Sequence, residues 1–171
     1  TLFRSEKVLI IGSPGAGKST LAFELSVKTG LPLVHLDKLW WHAGWIESDR
    51  EDFDARLAAE LEKPRWIIDG NYSRTLPMRL AKCDTVIFLD FPRLACLFGV
   101  MRRVLRYRGK TRPDMAEGCP EKIDREFLSY IWNFKKKNMP KIKERLSACK
   151  TAEIITLRSR RAVKHFISDI I

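Results

Sequence analysis

Gly12-Ser13-Pro14-Gly15-Ala16-Gly17-Lys18-Ser19 is the stretch on which the fold turns. It has the spacing G-x-x-x-x-G-K-[ST]. Before it runs the apolar Val8-Leu9-Ile10-Ile11, and after it Lys18 to Thr29 reads as a helix that Gly30 is placed to end. Phosphate oxygens need several donors converging from one side. A loop with little side-chain bulk turns its backbone N–H groups inward, and the helix behind it adds its positive end. Lys18 then reaches the β- and γ-phosphates of a nucleotide, and the Ser19 hydroxyl joins a Mg²⁺ shell. The competing reading is a glycine-rich turn behind a buried strand, with Lys18 solvated.

Outward from this loop, apolar strands alternate with helices. Leu33-Val34-His35-Leu36 ends at Asp37, Trp66-Ile67-Ile68 at Asp69 and Val86-Ile87-Phe88-Leu89 at Asp90, and Ile154-Ile155-Thr156-Leu157 is a fifth strand. Ser48 and Glu51 form an S-x-x-E capping box before a helix with Phe53, Leu57 and Leu61 on one face. Thr75 with Pro77 starts a short helix reaching Ala81. Pro92 opens a longer one with Leu94, Leu97, Phe98, Met101 and Leu105 on a broad face. Residues 107–120 carry glycine and proline breaks and many charges, and read as an exposed loop. Ile123, Phe127, Ile131 and Phe134 mark another amphipathic helix, Pro140 to Cys149 a short one, and Ser159 caps the last. The expected fold is α/β, with a five-stranded parallel sheet covered on both faces. Neither a repeat nor a linker divides the chain, so residues 1–171 read as one domain.

Composition narrows the class. The chain has 171 residues, 45% apolar and 31% charged, which excludes a disordered or collagen-like polymer. The longest charge-free apolar run, Leu94 to Met101, is too short to cross a bilayer, and no leader pattern precedes the first strand. Cys83, Cys96, Cys119 and Cys149 form no C-x-x-C pair, and His35, His42 and His165 show no metal-ligand spacing. Free thiols and a cytoplasmic setting are the expectation. The charge is +11 and unevenly placed: residues 1–92 hold 12 basic and 13 acidic residues, residues 93–171 hold 20 and 8. Such an excess points to an anionic partner without naming it.

Two strands end in a carboxylate, Asp69 and Asp90, and either suits the magnesium side of a nucleotide. Both lie at the carboxyl ends of strands, where ligands bind in sheets of this kind. No N-K-x-D motif is present, which speaks against a GTPase.

The loop Gly-Ser-Pro-Gly-Ala-Gly-Lys-Ser-Thr (12–20) resembles that of adenylate kinases, as does Asp69-Gly70 followed by Arg74-Thr75. Nearly the whole chain resembles the bacterial DNA topology modulation proteins (FlaR type), an adenylate-kinase-related branch. The match rests on His35-Leu36-Asp37, Trp66 to Tyr72, Phe88 to Arg93, Tyr107 to Met115 and Gly118-Cys119-Pro120-Glu121. The resemblance implies a three-layer P-loop NTPase fold with a lid at 107–120 and an acceptor-side helical region at 38–64. It implies Asp69 as the magnesium-side carboxylate with Ser19, Asp37 across the acceptor site, and Asp90 as structural. Arg102 and Arg106, four apart on one helix face, are similar to an adenylate kinase pair lying over the base and at the phosphates; Arg108, Lys110 and Arg112 then belong to the lid. Gly12 to Thr20 with Arg158 would border the nucleotide, and Trp41 and Arg74 the acceptor. The tryptophans at 40, 41 and 45 either stack on a base or anchor the core.

The expected function is Mg²⁺- and ATP-dependent transfer of a phosphoryl group to a small acceptor, such as a nucleotide or nucleoside. The alternative is a nucleotide-dependent regulator that binds DNA, in which Lys135-Lys136-Lys137 and the arginines at 158–161 would be its contacts.

Overall fold

The structure is a computed structural model that describes residues 3–170; residues 1, 2 and 171 of the expected domain lie outside it. The chain runs β1 (Lys7–Gly12), α1 (Lys18–Thr29), β2 (Leu33–His35), α2 (Leu36–Trp40), β3 (Trp41–His42), β4 (Ile46–Glu47), α3 (Arg50–Glu62) and β5 (Trp66–Asp69). A 3₁₀ turn at Ser73–Thr75 leads to α4 (Leu76–Leu80) and β6 (Thr85–Leu89). Then follow α5 (Arg93–Tyr107), α6 (Arg125–Lys137), α7 (Met139–Ala148), β7 (Glu153–Leu157) and α8 (Arg160–Asp169).

Five strands form one parallel sheet in the order β2-β5-β1-β6-β7. The chain leaves central β1 toward one edge and later returns to the other. That reversal opens a crevice at the carboxyl end of β1, where the glycine-rich loop lies. Alternate residues of each strand feed two cores. Leu9, Ile11, Ile68, Val86 and Phe88 meet α3, α4 and α7 on one face. Val8, Ile10, Ile67, Ile87 and Leu89 meet α1, α5 and α8 on the other. The result is the three-layer α/β fold that the five apolar strands predict. No helix among the described residues is long and apolar enough to cross a membrane.

Local details depart from the expectation. Asp49 rather than Ser48 caps α3, its Oδ1 accepting from Glu51 N at 2.8 Å. Ser48 Oγ instead donates to Leu39 O at 3.0 Å and accepts from Arg56 Nη2 at 2.8 Å. Leu36 starts a helical turn rather than ending β2, because its side chain is fully buried against α3. The tryptophan-rich stretch folds into the β3–β4 hairpin.

The 107–120 segment is not an open solvated loop. Met115 and Cys119 are buried, and Arg112 is tucked beneath it in ion pairs. The segment is also bonded to the hairpin: Gly44 N donates to Gly118 O at 2.9 Å, Trp45 Nε1 to Pro120 O at 3.2 Å and Cys119 Sγ to His42 O at 3.1 Å.

Candidate functional site

The loop after β1 takes its shape from glycines at positive φ. Gly12, Gly15 and Gly17 have φ of 137°, 77° and 93°, a region that side chains disfavour. Gly12 is held from two sides: its N–H donates to Asn71 Oδ1 at 3.1 Å, and its carbonyl accepts from Asn71 Nδ2 at 2.9 Å. Ser13 N donates to Leu89 O at 2.9 Å. Gly17 precedes α1, whose first turn has neither a side-chain cap nor an acidic residue. Its leading N–H groups therefore stay available to an anion. Lys18 folds back over the loop, Nζ donating to Gly12 O at 3.2 Å and Ser13 O at 3.1 Å. Burial pushes its pKa down, while Asp69 and Asp37 pull it back up. Its place over the loop, at the start of α1, suits it to a phosphate.

Helix α5 backs this loop closely. Cβ atoms on Gly15 would collide with Cys96 O and, at 2.8 Å, with Val100 Cγ2. Gly99 sits against the Gly15 carbonyl on the same helix. Arg160 Nη2 reaches the same spot, 2.9 Å from where a Gly99 Cβ would stand.

Asp69 ends β5 beside Ser19. Ser19 Oγ donates to Asp69 Oδ2 at 2.7 Å, and His35 Nδ1 lies 2.6 Å from Asp69 Oδ1. A hydroxyl and a carboxylate placed together are hard oxygen donors that fit Mg²⁺, which takes one or two protein ligands and leaves the rest to water and phosphate. Among the described residues no group of three His, Cys, Asp or Glu forms a denser cation site. Asp90 faces elsewhere. Lys143 and Lys135 approach its oxygens at 3.0 and 3.3 Å and hold its pKa below the usual range, outweighing the upward push of burial.

Asp37 opens α2 across from Lys18. Tyr72 Oη donates to its Oδ1 at 2.6 Å. Burial raises its pKa, with Asp69 and Asp114 adding to the rise and the Tyr72 hydrogen bond and Arg112 opposing it. The folded chain therefore keeps the Asp37 proton to a higher pH than the unfolded chain. Stability falls as pH rises from about 3.8 through the raised value, and the cost persists above it. Asp37→Asn removes that cost and still accepts from Tyr72. Its Tm at pH 7 is expected to rise, with no difference near pH 3. Melting curves at both pH values check this; a variant that melts lower at pH 7 contradicts the sign.

Arg102 and Arg106 are exposed on α5, and Arg106 lies over the ring of neighbouring Tyr107. Arg103 instead turns inward. Its Nε is 3.0 Å from Glu121 Oε2 and its Nη2 is 3.1 Å from Oε1, close enough for its charge to act on Lys18. Arg112 Nε meets the same Glu121 Oε2 at 2.9 Å, and its Nη1 meets Asp114 Oδ2 at 3.1 Å. Two arginines thus share one almost fully buried carboxylate. The signal for Arg103 was its place at i+7 and i+3 from buried Cys96 and Val100, the inner face of α5.

Arg74 forms a bidentate pair with Asp54 at 2.7 and 2.6 Å, half-exposed on the outer side of α3. Arg79 was not singled out, yet it is fully buried. It donates to the carbonyls of Gly70, Asn71 and Tyr72, fixing the turn that carries Asn71 to Gly12. Trp40 packs on Phe53 and Tyr72 as a core anchor, whereas Trp41 and Trp45 meet edge to face on the hairpin. Arg158 is exposed after β7, and Ser159 caps α8 by accepting from Ala162 N at 3.1 Å.

No family model matches the chain. No curated protein matches it in sequence. Among solved structures, the shikimate kinase from Acinetobacter baumannii in complex with shikimate superposes with a TM-score of 0.59 over 96% of this chain and 90% of that one, at 16% identity. The likeness is one of fold alone, an α/β architecture shared over nearly the whole length of both chains.

Proposed function

We propose that this chain is a phosphotransferase that moves the γ-phosphoryl group of ATP, with Mg²⁺, to a hydroxyl of a small acceptor. The carrying observation is the placement of Lys18 over a glycine loop at the uncapped start of α1, with Ser19 and Asp69 joined at 2.7 Å beside it. The backbone from Gly12 to Ser19, with Thr20, holds the phosphates. Ser19 and Asp69 hold the metal, which when bound screens the charge between the phosphates.

Asp37 binds the acceptor hydroxyl and takes its proton, a role that its raised pKa suits. Arg106 and Arg102 serve the phosphates and the base from the outer face of α5, and the segment at 107–120 closes as a lid. The loop at Arg158 borders the base. Trp41 lines the acceptor side; Arg74, held by Asp54, serves it only by changing partner. The neighbour's complex with shikimate supports a small acceptor in this fold. Part of the basic side-chain set has an internal use, since Lys135 and Lys143 hold Asp90, and Arg103 and Arg112 hold Glu121.

Titration with ADP tests the metal assignment without needing the acceptor. In Asp69→Asn the tightening of ADP by Mg²⁺ is expected to fall about tenfold, roughly the 1.4 kcal/mol of one charged contact, with metal-free affinity kept. An unchanged Mg²⁺ effect would falsify the role of Asp69.

A further inference from the structure

Among the described residues that act on Asp37, acids outnumber arginines, and the one arginine is already paired. Asp69 and Asp114 act on the Asp37 carboxyl as like charges, and Arg112 is the opposing charge. Arg112 is already bound to Asp114 and Glu121. Arg103 is bound to Glu121 through two nitrogens. Arg74 is turned outward onto Asp54, and Arg79 is spent on three backbone carbonyls. Four carboxyl groups, of Asp37, Asp69, Asp114 and Glu121, stand with three basic side chains, Lys18, Arg103 and Arg112.

A phosphate or carboxylate on a ligand is recognised by an uncommitted guanidinium or ammonium. Here such a group meets more carboxyls than cations, and the cations are either paired with Glu121 and Asp114 or, in Lys18, placed over the glycine loop for the nucleotide. An uncharged hydroxyl meets acceptors at once: carboxylates accept from it, and Asp37 is already aligned by Tyr72. The nearby aromatic hairpin, with Trp41 and Trp45, suits the apolar face of a ring.

Resting on the phosphotransfer reading above, we propose that the acceptor is an uncharged compound with several hydroxyls, a nucleoside or a neutral polyol, and neither a nucleoside monophosphate nor a hydroxy acid. In the transfer, a hydroxyl oxygen of the acceptor forms a bond to the γ-phosphorus and its proton passes to Asp37. The bond from the γ-phosphorus to the bridging oxygen breaks, and ADP leaves with that electron pair.

A cell metabolite extract passed over a strong anion exchanger gives a neutral flow-through and an anionic eluate. Each is incubated with the protein, ATP and Mg²⁺, and new phosphate esters are read by mass spectrometry. ADP release is read in parallel with pure nucleosides, neutral polyols, nucleoside monophosphates and shikimate. The expected result is a new ester from the neutral fraction and ADP release at least tenfold above the acceptor-free rate. Nucleosides or polyols as the active pure compounds identify the source. An ester arising from the anionic fraction, or faster turnover with a monophosphate or shikimate, overturns the proposal. If neither fraction yields an ester while titration shows Lys18-dependent binding of Mg·ADP, the phosphotransfer reading itself falls, and the acceptor with it.

Discussion

Lys18→Met lowers the affinity for Mg·ATP by about tenfold or more and ADP release by about 10²–10³-fold, the cost of removing one fixed charge at developing phosphate charge. The size follows from what remains. Asp69 and Asp37 both act on Lys18, and without the ammonium their negative charges face the phosphates uncompensated. The fold itself is expected to survive. The Lys18 ammonium is held against burial, so an apolar chain of similar length removes a desolvation cost, and Tm stays equal or rises. Calorimetric titration and a coupled ADP assay on the same preparation separate the two effects. Wild-type affinity and turnover in a folded Lys18→Met protein end the phosphate-loop reading.

Gly99→Ala is the second large effect, and its sign is the informative part. Inside a helix, glycine to alanine stabilises by about 1 kcal/mol when the position is unconstrained. Position 99 lies within α5, yet a methyl group there collides with the Gly15 carbonyl and comes within 3.1 Å of its carbon. Both contacts are backbone, so no side chain can swing aside. Either the helix retreats, opening the packing of Cys96 and Val100, or the loop moves. Overpacking of this kind costs about 1–3 kcal/mol. The expected result is a lower Tm together with an ADP affinity reduced at least tenfold. A raised Tm with unchanged ADP affinity shows that α5 does not brace the loop.

How much of this was open to a reader of the residues alone depends on the range of the interactions. The β1-loop-α1 unit was legible because its signals are local: an apolar run, glycines where φ is positive, and Gly30 in the left-handed conformation with its N–H on Ser26 O. The five strands were legible because strands buried on both faces are continuously apolar. Ser19 was nameable from the motif and Asp69 only as one of two strand-end carboxylates, the resemblance preferring it to Asp90; the two side chains meet though fifty residues apart in sequence.

What escaped depends on partners that no spacing announces. Asn71 looks like a turn residue, yet its amide closes on both polar groups of Gly12. Arg79 looks like a surface charge on a five-residue helix too short to show a period. Arg103 stands beside Arg102 in an arginine-rich run. Only the identity of the buried face of α5 and the distant Glu121 tell the two apart. The cap of α3 slipped by one position because Ser48 and Asp49 both qualify, and the Ser48 hydroxyl had a better use on Leu39 O.

The bonds from Gly118, Cys119 and Pro120 to the hairpin have a thermodynamic consequence. They make the segment at 107–120 and the Trp41–Trp45 face one mechanical piece; in the proposed function the first closes over the nucleotide and the second borders the acceptor. Ordering that piece is a single entropic charge levied on whichever ligand arrives first. On the proposed function the two ligands are then linked, and each is expected to tighten the other by the same factor, whatever the order of addition. Weakening the tether uncouples them, leaving two independent affinities where the intact chain has synergy.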